Sequence, residues 1–255
     1  VIGGGSVGSL FSGRIAAIKA MKERVWLLTQ WQEHFTAMSE MKGIVVREEG
    51  TAGAETMMGA VRPASSAKII IESRADFART DPGRFQTVVF LAVKQGQIRQ
   101  AAEQAAQILH ELGGGLCVTL LNGMGHIEVV KNTFKYHDVR AAVVHGLFYG
   151  GAHMPGPGMV VHSGAGVLEL GFTSHTDDIT HALLNDLCEL LRLARLPTRL
   201  NPNITAAAWE KLIVNASINA LTALLHVRNG ALPSLPPASL LMHQLCYEAH
   251  AVAVA

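Results

Sequence analysis

The sequence predicts an α/β fold: a doubly wound, mainly parallel sheet over residues 1–201, followed by a mainly helical region over 202–255. Three observations carry this. The chain opens as strand end, glycine turn and helix; buried strand-like runs then alternate with amphipathic helices; and from Thr205 the pattern turns helical, broken only at "RNGALPSLPP". Alternation of this kind is the signature of a parallel sheet with crossover helices.

The opening "VIGGGSVG" places Gly3, Gly5 and Gly8 in the order GxGxxG, immediately after an apolar strand. In a Rossmann-type dinucleotide fingerprint the first glycine makes the turn, the second lets backbone approach a pyrophosphate, and the third lets helix pack on strand. The loop Gly3, Gly4, Gly5, Ser6, Val7 and Gly8 is therefore the candidate cofactor cradle, with the following helix N-terminus supplying N–H groups and a favourable dipole. Glycines also serve ordinary turns, but a second strand at 24–29 lies where dinucleotide binding requires it. That strand ends in Thr29, Gln30 and Trp31, which offer neither the carboxylate that reads an NAD ribose nor the arginine that greets an NADP phosphate.

Short apolar runs at 43–47 and 67–72 read as further strands. "QTVVFLAVK" (86–94) suits a strand buried on both faces, residues 98–112 an amphipathic helix, and "GLCVTLLNGMG" (115–125) a further strand and turn. Lys94 and Asn122 stand at two strand ends, where such sheets bind ligands, although either could simply end a strand. "AAVVHGLFYGG", "GMVVHSG" and "GVLELGF" predict an antiparallel extension of the sheet. A helix over 177–194 follows, and "LPTRLNPNI" with its two prolines marks the domain boundary.

Residues 209–225, "WEKLIVNASINALTALL", place Lys211, Asn215, Asn219 and Thr222 at about 0°, 40°, 80° and 20° around a helix. The remaining circumference is apolar, which predicts a largely buried helix with one narrow polar stripe. The stripe is either a solvent face or the wall of a polar pocket. Asparagine is a mediocre helix former, so short amides suit the pocket better than open water. A lysine with two amides can polarise and orient a small oxygen-rich molecule.

Composition excludes other classes. With 49% hydrophobic residues the chain is globular, and a formal net charge of +1 gives no reason to expect nucleic acid or an anionic membrane as partner. No membrane span is expected. Three widely spaced cysteines, Cys117, Cys188 and Cys246, argue for reduced thiols in a reducing, cytoplasmic compartment. The cluster "HTDDITH" (175–181) lacks metal-ligand spacing and reads as loop or helix-cap residues, and His243 and His250 share a helical face compatible with plain exposure. No metal is expected. Both ends look incomplete, with a strand already under way at Val1 and a helical pattern still running at Ala255.

With the glycine fingerprint, Lys94, "LLNGMGHIE" and "KLIVNASINALTALL…NGAL" in this order, the chain resembles the ketopantoate reductase (2-dehydropantoate 2-reductase) family over essentially its whole length. The resemblance implies an N-terminal Rossmann domain, a helical C-terminal domain that is truncated here, and an oxidoreductase of pantothenate biosynthesis. The implied reaction is NADPH-dependent reduction of 2-dehydropantoate to pantoate. It implies Lys211 as catalytic proton donor, Asn215, Asn219 and Asn229 as substrate-binding residues, Asn122 near nicotinamide and substrate, and Lys94 at the cofactor edge. Gln30 stands where the family usually carries an arginine, so NAD is kept beside NADP as cofactor. The family's further substrate-contacting serine and cofactor-side glutamate have no counterpart before residue 255. The partner is a small 2-keto acid, with a homodimer as candidate assembly. Two other functions fit the residues: a reductase of another 2-keto acid, and a non-catalytic nucleotide-binding sensor.

Overall fold

The computed structural model describes residues 1–21, 24–49, 56–66, 87–164, 166–174 and 176–255. The chain divides into two compact units, Val1–Leu121 with Gly125–Pro202, and Asn122–Met124 with Asn203–Ala255.

The first unit is built on a sheet whose central strand is the chain's opening. Ile2 bridges in parallel to both Leu28 and Leu91. It thereby joins β1 (Trp26–Leu28) to β5 (Thr87–Leu91), with main-chain bonds from Ile2 N–H to Phe90 C=O (2.8 Å) and Gly3 N–H to Leu28 C=O (3.0 Å). Outward on one side β4 (Arg62–Ala64) pairs in parallel with β1. On the other side β6 (Gly115–Thr119) and β7 (Ala141–Phe148) continue the parallel order from β5. The chain thus reverses its direction of growth between its first strand and β5, the topological switch point of a doubly wound sheet. The expected strand at 67–72 lies outside the described residues.

The antiparallel extension is narrower than the sequence suggests. β10 (Leu168–Phe172) pairs antiparallel with β7, and β11 (Thr198–Leu200) then runs parallel to β10. "GMVVHSG" does not join this sheet. Its strand β9 (Met159–His162) forms a hairpin with β8 (Ala152–Gly156) and pairs in parallel with β2 (Ile44–Glu48), which also pairs with β3 (Thr56–Gly59). Alternating apolar residues make a strand but leave its partner open.

These two sheets enclose α1 (Ser6–Ala16), which explains its apolar and small residues. On one side Phe11 meets Phe90 and, edge to face, Phe148, with ring centroids 5.9 and 5.3 Å away. On the other, a Cβ added to Gly13 would come within 2.5 Å of Val46 and one added to Gly59 within 2.2 Å of the Gly13 carbonyl oxygen. Arg14, buried in this sandwich, forms an ion pair with Glu48, whose other carboxylate oxygen lies 3.1 Å from His162 Nδ1. A buried guanidinium without such a partner would cost several kcal/mol.

The opposite face of the main sheet is covered by α3 (Ile98–Glu111) and α4 (His126–Tyr136), whose Ala102, Ala105, Leu109 and Val130 are fully buried against strand residues such as Leu91 and Cys117. The short α2 (Gln32–Met41) packs by β4, and α5 (Asp178–Leu193) packs by β11. Asp177 caps α5 by accepting the Thr180 N–H at 2.7 Å, so the expected cap function of "HTDDITH" falls on this residue, with His175 outside the described residues. No metal-binding cluster occurs among the described residues, and no helix there is long and apolar enough to cross a membrane.

The second unit holds α6 (Ile204–Leu225), a 3-10 segment (Asn229–Ser234) and α7 (Pro236–Val254). Leu221, Leu232 and Ala238 form its core, with Ile218, Met242 and Leu245 against them. The expectation of a largely buried helix over 209–225 is corrected here: Val214, Leu224 and Leu225 are exposed. A helix apolar on all sides needs partners on all sides, and within this unit α6 packs on α7 and the 3-10 segment.

His126, at the start of α4, is fully buried, and neither ring nitrogen has a hydrogen-bond partner among the described residues. Burial lowers its pKa from the ordinary 6.5 to about 4, and burial likewise lowers those of His34 and His162. The unfolded chain takes up the His126 proton near 6.5 and the folded chain only near 4. Stability is therefore fully present above pH 6.5 and declines as pH falls toward 4, by about 2–3 kcal/mol for this group. Urea melts at pH 7.5 and pH 4.5 should show that loss, and His126→Phe should reduce the difference. An equal difference in the variant would assign the acid sensitivity elsewhere.

Candidate functional site

The glycine loop is shaped by three different constraints. Gly3 adopts φ +112°, and a Cβ there would come within 2.5 Å of the Ala92 carbonyl oxygen, so this glycine lets the first strand turn beside β5. A Cβ on Gly8 would come within 1.9 Å of the Gly3 carbonyl oxygen, which brings α1 against the strand it follows. Gly5 differs: nothing lies within 4 Å of a Cβ placed on it. The space beside Gly5 is open, and the N–H groups of Ser6, Val7 and Gly8 in the first turn of α1 have no intrahelical acceptor. An anion there meets backbone donors and the positive end of the helix dipole. The residues present therefore fit a dinucleotide's pyrophosphate.

Around this loop, Thr29 Oγ1 accepts the Trp31 N–H at 3.2 Å, and Gln30 is exposed. Lys94 is exposed just beyond β5, where its C=O accepts the Gln97 N–H at 2.9 Å and opens a 3-10 turn. Glycine turn and Lys94 thus follow the two strands that flank the switch point. Two residues passed over in the sequence stand behind the loop. Ser9 and His34 are buried and 3.1 Å apart (Oγ to Nε2), and Ser9 Oγ donates to the Gly4 carbonyl at 3.4 Å. Only the fold could pair residues so distant in the chain.

Asn122 belongs to the other unit, together with Lys211, Asn215, Asn219 and Asn229. Lys211 and Asn215 are half-buried on successive turns of α6, whereas Asn219 and Asn229 are exposed. Burial lowers the pKa of the Lys211 ammonium below its ordinary 10.5. Thr222, the fourth polar residue of the stripe, turns its hydroxyl back to the carbonyls of Ile218 and Asn219, both at 3.0 Å. A half-buried ammonium beside an amide can donate a proton to a developing oxyanion.

Residues 1–175 match the family model for ketopantoate reductase PanE/ApbA, and residues 203–255 match the model for ketopantoate reductase PanE/ApbA C terminal. The 2-dehydropantoate 2-reductase of Halobacterium salinarum is 29% identical over 255 residues, covering all of this chain and 74% of that protein. The enzyme of that name from Streptococcus pyogenes serotype M6 is 25% identical over 233 residues, covering 91% of this chain and 66% of its own length. The chain thus spans about two thirds to three quarters of the length of these relatives. Among solved structures, the probable 2-dehydropantoate 2-reductase panE from Bacillus subtilis superposes with TM-score 0.70 at 25% identity, covering 100% of this chain and 76% of that one. The complex of D-mandelate dehydrogenase with NADH shares the fold at TM-score 0.72 and 20% identity, covering 99% of this chain and 72% of that one.

The contrast between Gly5 and Gly8 is testable by melting alone. Gly8→Ala should lose about 1–3 kcal/mol, because backbone must shift to admit the methyl group. Gly5→Ala should melt within about 2 °C of the parent, given open space and an ordinary backbone conformation. Equal melting of the two variants would contradict the packing described.

Proposed function

We propose that this chain, which belongs to the ketopantoate reductase family, acts as an NADP-dependent 2-dehydropantoate 2-reductase that forms pantoate. The observation that carries the reading is the half-buried Lys211, its pKa lowered, one turn from Asn215 and in the same unit as Asn122. A reductase needs a proton donor for the ketone oxygen and amides to fix the keto acid. The open backbone cradle at Gly5 supports dinucleotide binding from the other unit.

On this reading Ser6, Val7 and Gly8 hold the pyrophosphate through their N–H groups, and Lys94 lies at the cofactor edge. The dinucleotide, when bound, supplies a hydride for the keto carbon. Lys211 Nζ gives its proton to the keto oxygen, so that the carbonyl becomes a hydroxyl. Before that step the ammonium polarises the carbonyl, and its partial desolvation strengthens the attraction. Asn122, Asn215, Asn219 and Asn229 orient the substrate's hydroxyl and carboxylate by giving and accepting hydrogen bonds. Pantothenate biosynthesis is the pathway this product would enter. Gln30 carries no charge for a 2′-phosphate, so NADH is kept as second cofactor.

Oxidation of NADPH and NADH by the full-length protein with 2-dehydropantoate tests the assignment. Lys211→Ala should lower kcat by about 10²–10⁴-fold. Because the protonated amine is the active form, kcat should fall as pH rises through a value below the ordinary lysine range. Lys211→Arg, which stays charged, should lose that limb. Rapid turnover of another 2-keto acid with none of 2-dehydropantoate would overturn the substrate, and an unaltered kcat in Lys211→Ala would overturn the role of the lysine.

A further inference from the structure

At the end of β1, where this kind of fold reads the adenosine ribose with a carboxylate or an arginine, the chain carries an aromatic ring instead. Trp31 is fixed there from several directions. Its backbone N–H donates to Thr29 Oγ1 at 3.2 Å, and Thr29 itself lies against the glycine loop, since a Cβ on Gly4 would come within 2.3 Å of the same oxygen. The indole lies stacked on the His34 ring, with centroids 5.2 Å apart and planes 24° from parallel.

The imidazole beneath it is a rigid floor. His34 is fully buried, and its Nδ1 accepts the Gly158 N–H at 2.8 Å. The proton is therefore on Nε2, which donates to Ser9 Oγ at 3.1 Å, and that hydroxyl passes its own hydrogen to the Gly4 carbonyl at 3.4 Å. One chain of bonds thus ties the floor under Trp31 to the backbone of the glycine turn. Yet the tryptophan on this floor is 39% exposed. A large aromatic residue held flat, braced and partly open beside an anion cradle presents a π-surface to a planar ring.

We propose that Trp31 is the stacking platform for the adenine of the bound dinucleotide and that His34 is its positioning residue. This rests on the dinucleotide reading given above. Stacking reads the base, which NADH and NADPH share, so the platform adds affinity without choosing between them. It takes the place of a charged reader at this strand end.

Calorimetric titration of the full-length protein with NADPH, NADH and ADP-ribose tests this, with quenching of tryptophan fluorescence as a second readout. Trp31→Ala should weaken all three ligands by a common factor of about ten. Trp31→Phe should stay within about threefold of the parent while losing most of the quenching, although Trp26 and Trp209 remain. His34→Ala should weaken binding severalfold, and adding it to Trp31→Ala should change nothing further. A general structural defect would instead add in the double variant. Unchanged affinities in Trp31→Ala, or a loss confined to NADPH, would overturn the platform while leaving dinucleotide binding in place. A parent protein that binds none of the three would overturn the dinucleotide reading and the platform with it.

Discussion

The contact between α1 and the first strand is the constraint on which the rest of the first unit depends. With Gly8 set against the Gly3 carbonyl, the helix starts in close contact with the strand it follows. Every residue from Gly8 to Ala16 is consequently buried, between the main sheet on one side and the smaller sheet on the other. Burial on all sides dictates composition: Phe11 fills the space toward Phe90 and Phe148, while Gly13 admits Val46 and the backbone of Gly59. It also dictates electrostatics, because Arg14 enters this sandwich only with Glu48 and His162 in place. The smaller sheet is thereby coupled to the helix whose N-terminus is the proposed anion cradle.

That coupling explains why the cradle can be made of backbone. Three N–H groups at a helix start bind an anion well only if the helix cannot move, and enclosure by two sheets supplies the rigidity. The Ser9 and His34 bonds extend the same principle to the turn itself. They fix the Gly4 carbonyl from behind with groups that never reach the open side of the loop.

Much of this was legible in the sequence where one local pattern determined the outcome. The glycine spacing, the doubly buried run that became β5, and the helical period of α3 each encode a single structure within a few residues. β9 was harder. "GMVVHSG" says strand, but its partnership with β2, more than a hundred residues earlier, depends on the enclosure of α1. The burial of α6 was overestimated for a related reason: an apolar circumference states how many partners a helix can take, not how many it has. Of the proposed substrate residues, Lys211 and Asn215 lie one turn apart on α6, as helical spacing predicts. That spacing could not distinguish their partial burial from the exposure of Asn219. His34 left no signal, because a single histidine on a short helix acquires meaning only through Gly158 and Ser9.

The two proposed parts of the site differ in what they allow to change. The pyrophosphate cradle uses main-chain donors, so its sequence requirement is mostly the absence of side chains at Gly3 and Gly8 and open space at Gly5. Residues 30 and 31 lie beside it without supporting the core, since Gln30 is exposed and Trp31 is partly so. On the proposed reading a charged reader of the ribose can therefore give way to an aromatic platform for the base at small cost to folding. On the proposed reading Lys211 has no such freedom, because the burial that lowers its pKa is also what makes its ammonium a stronger acid toward the keto oxygen. On this argument cofactor preference is the trait this scaffold leaves open, and proton donation is the one it holds fixed.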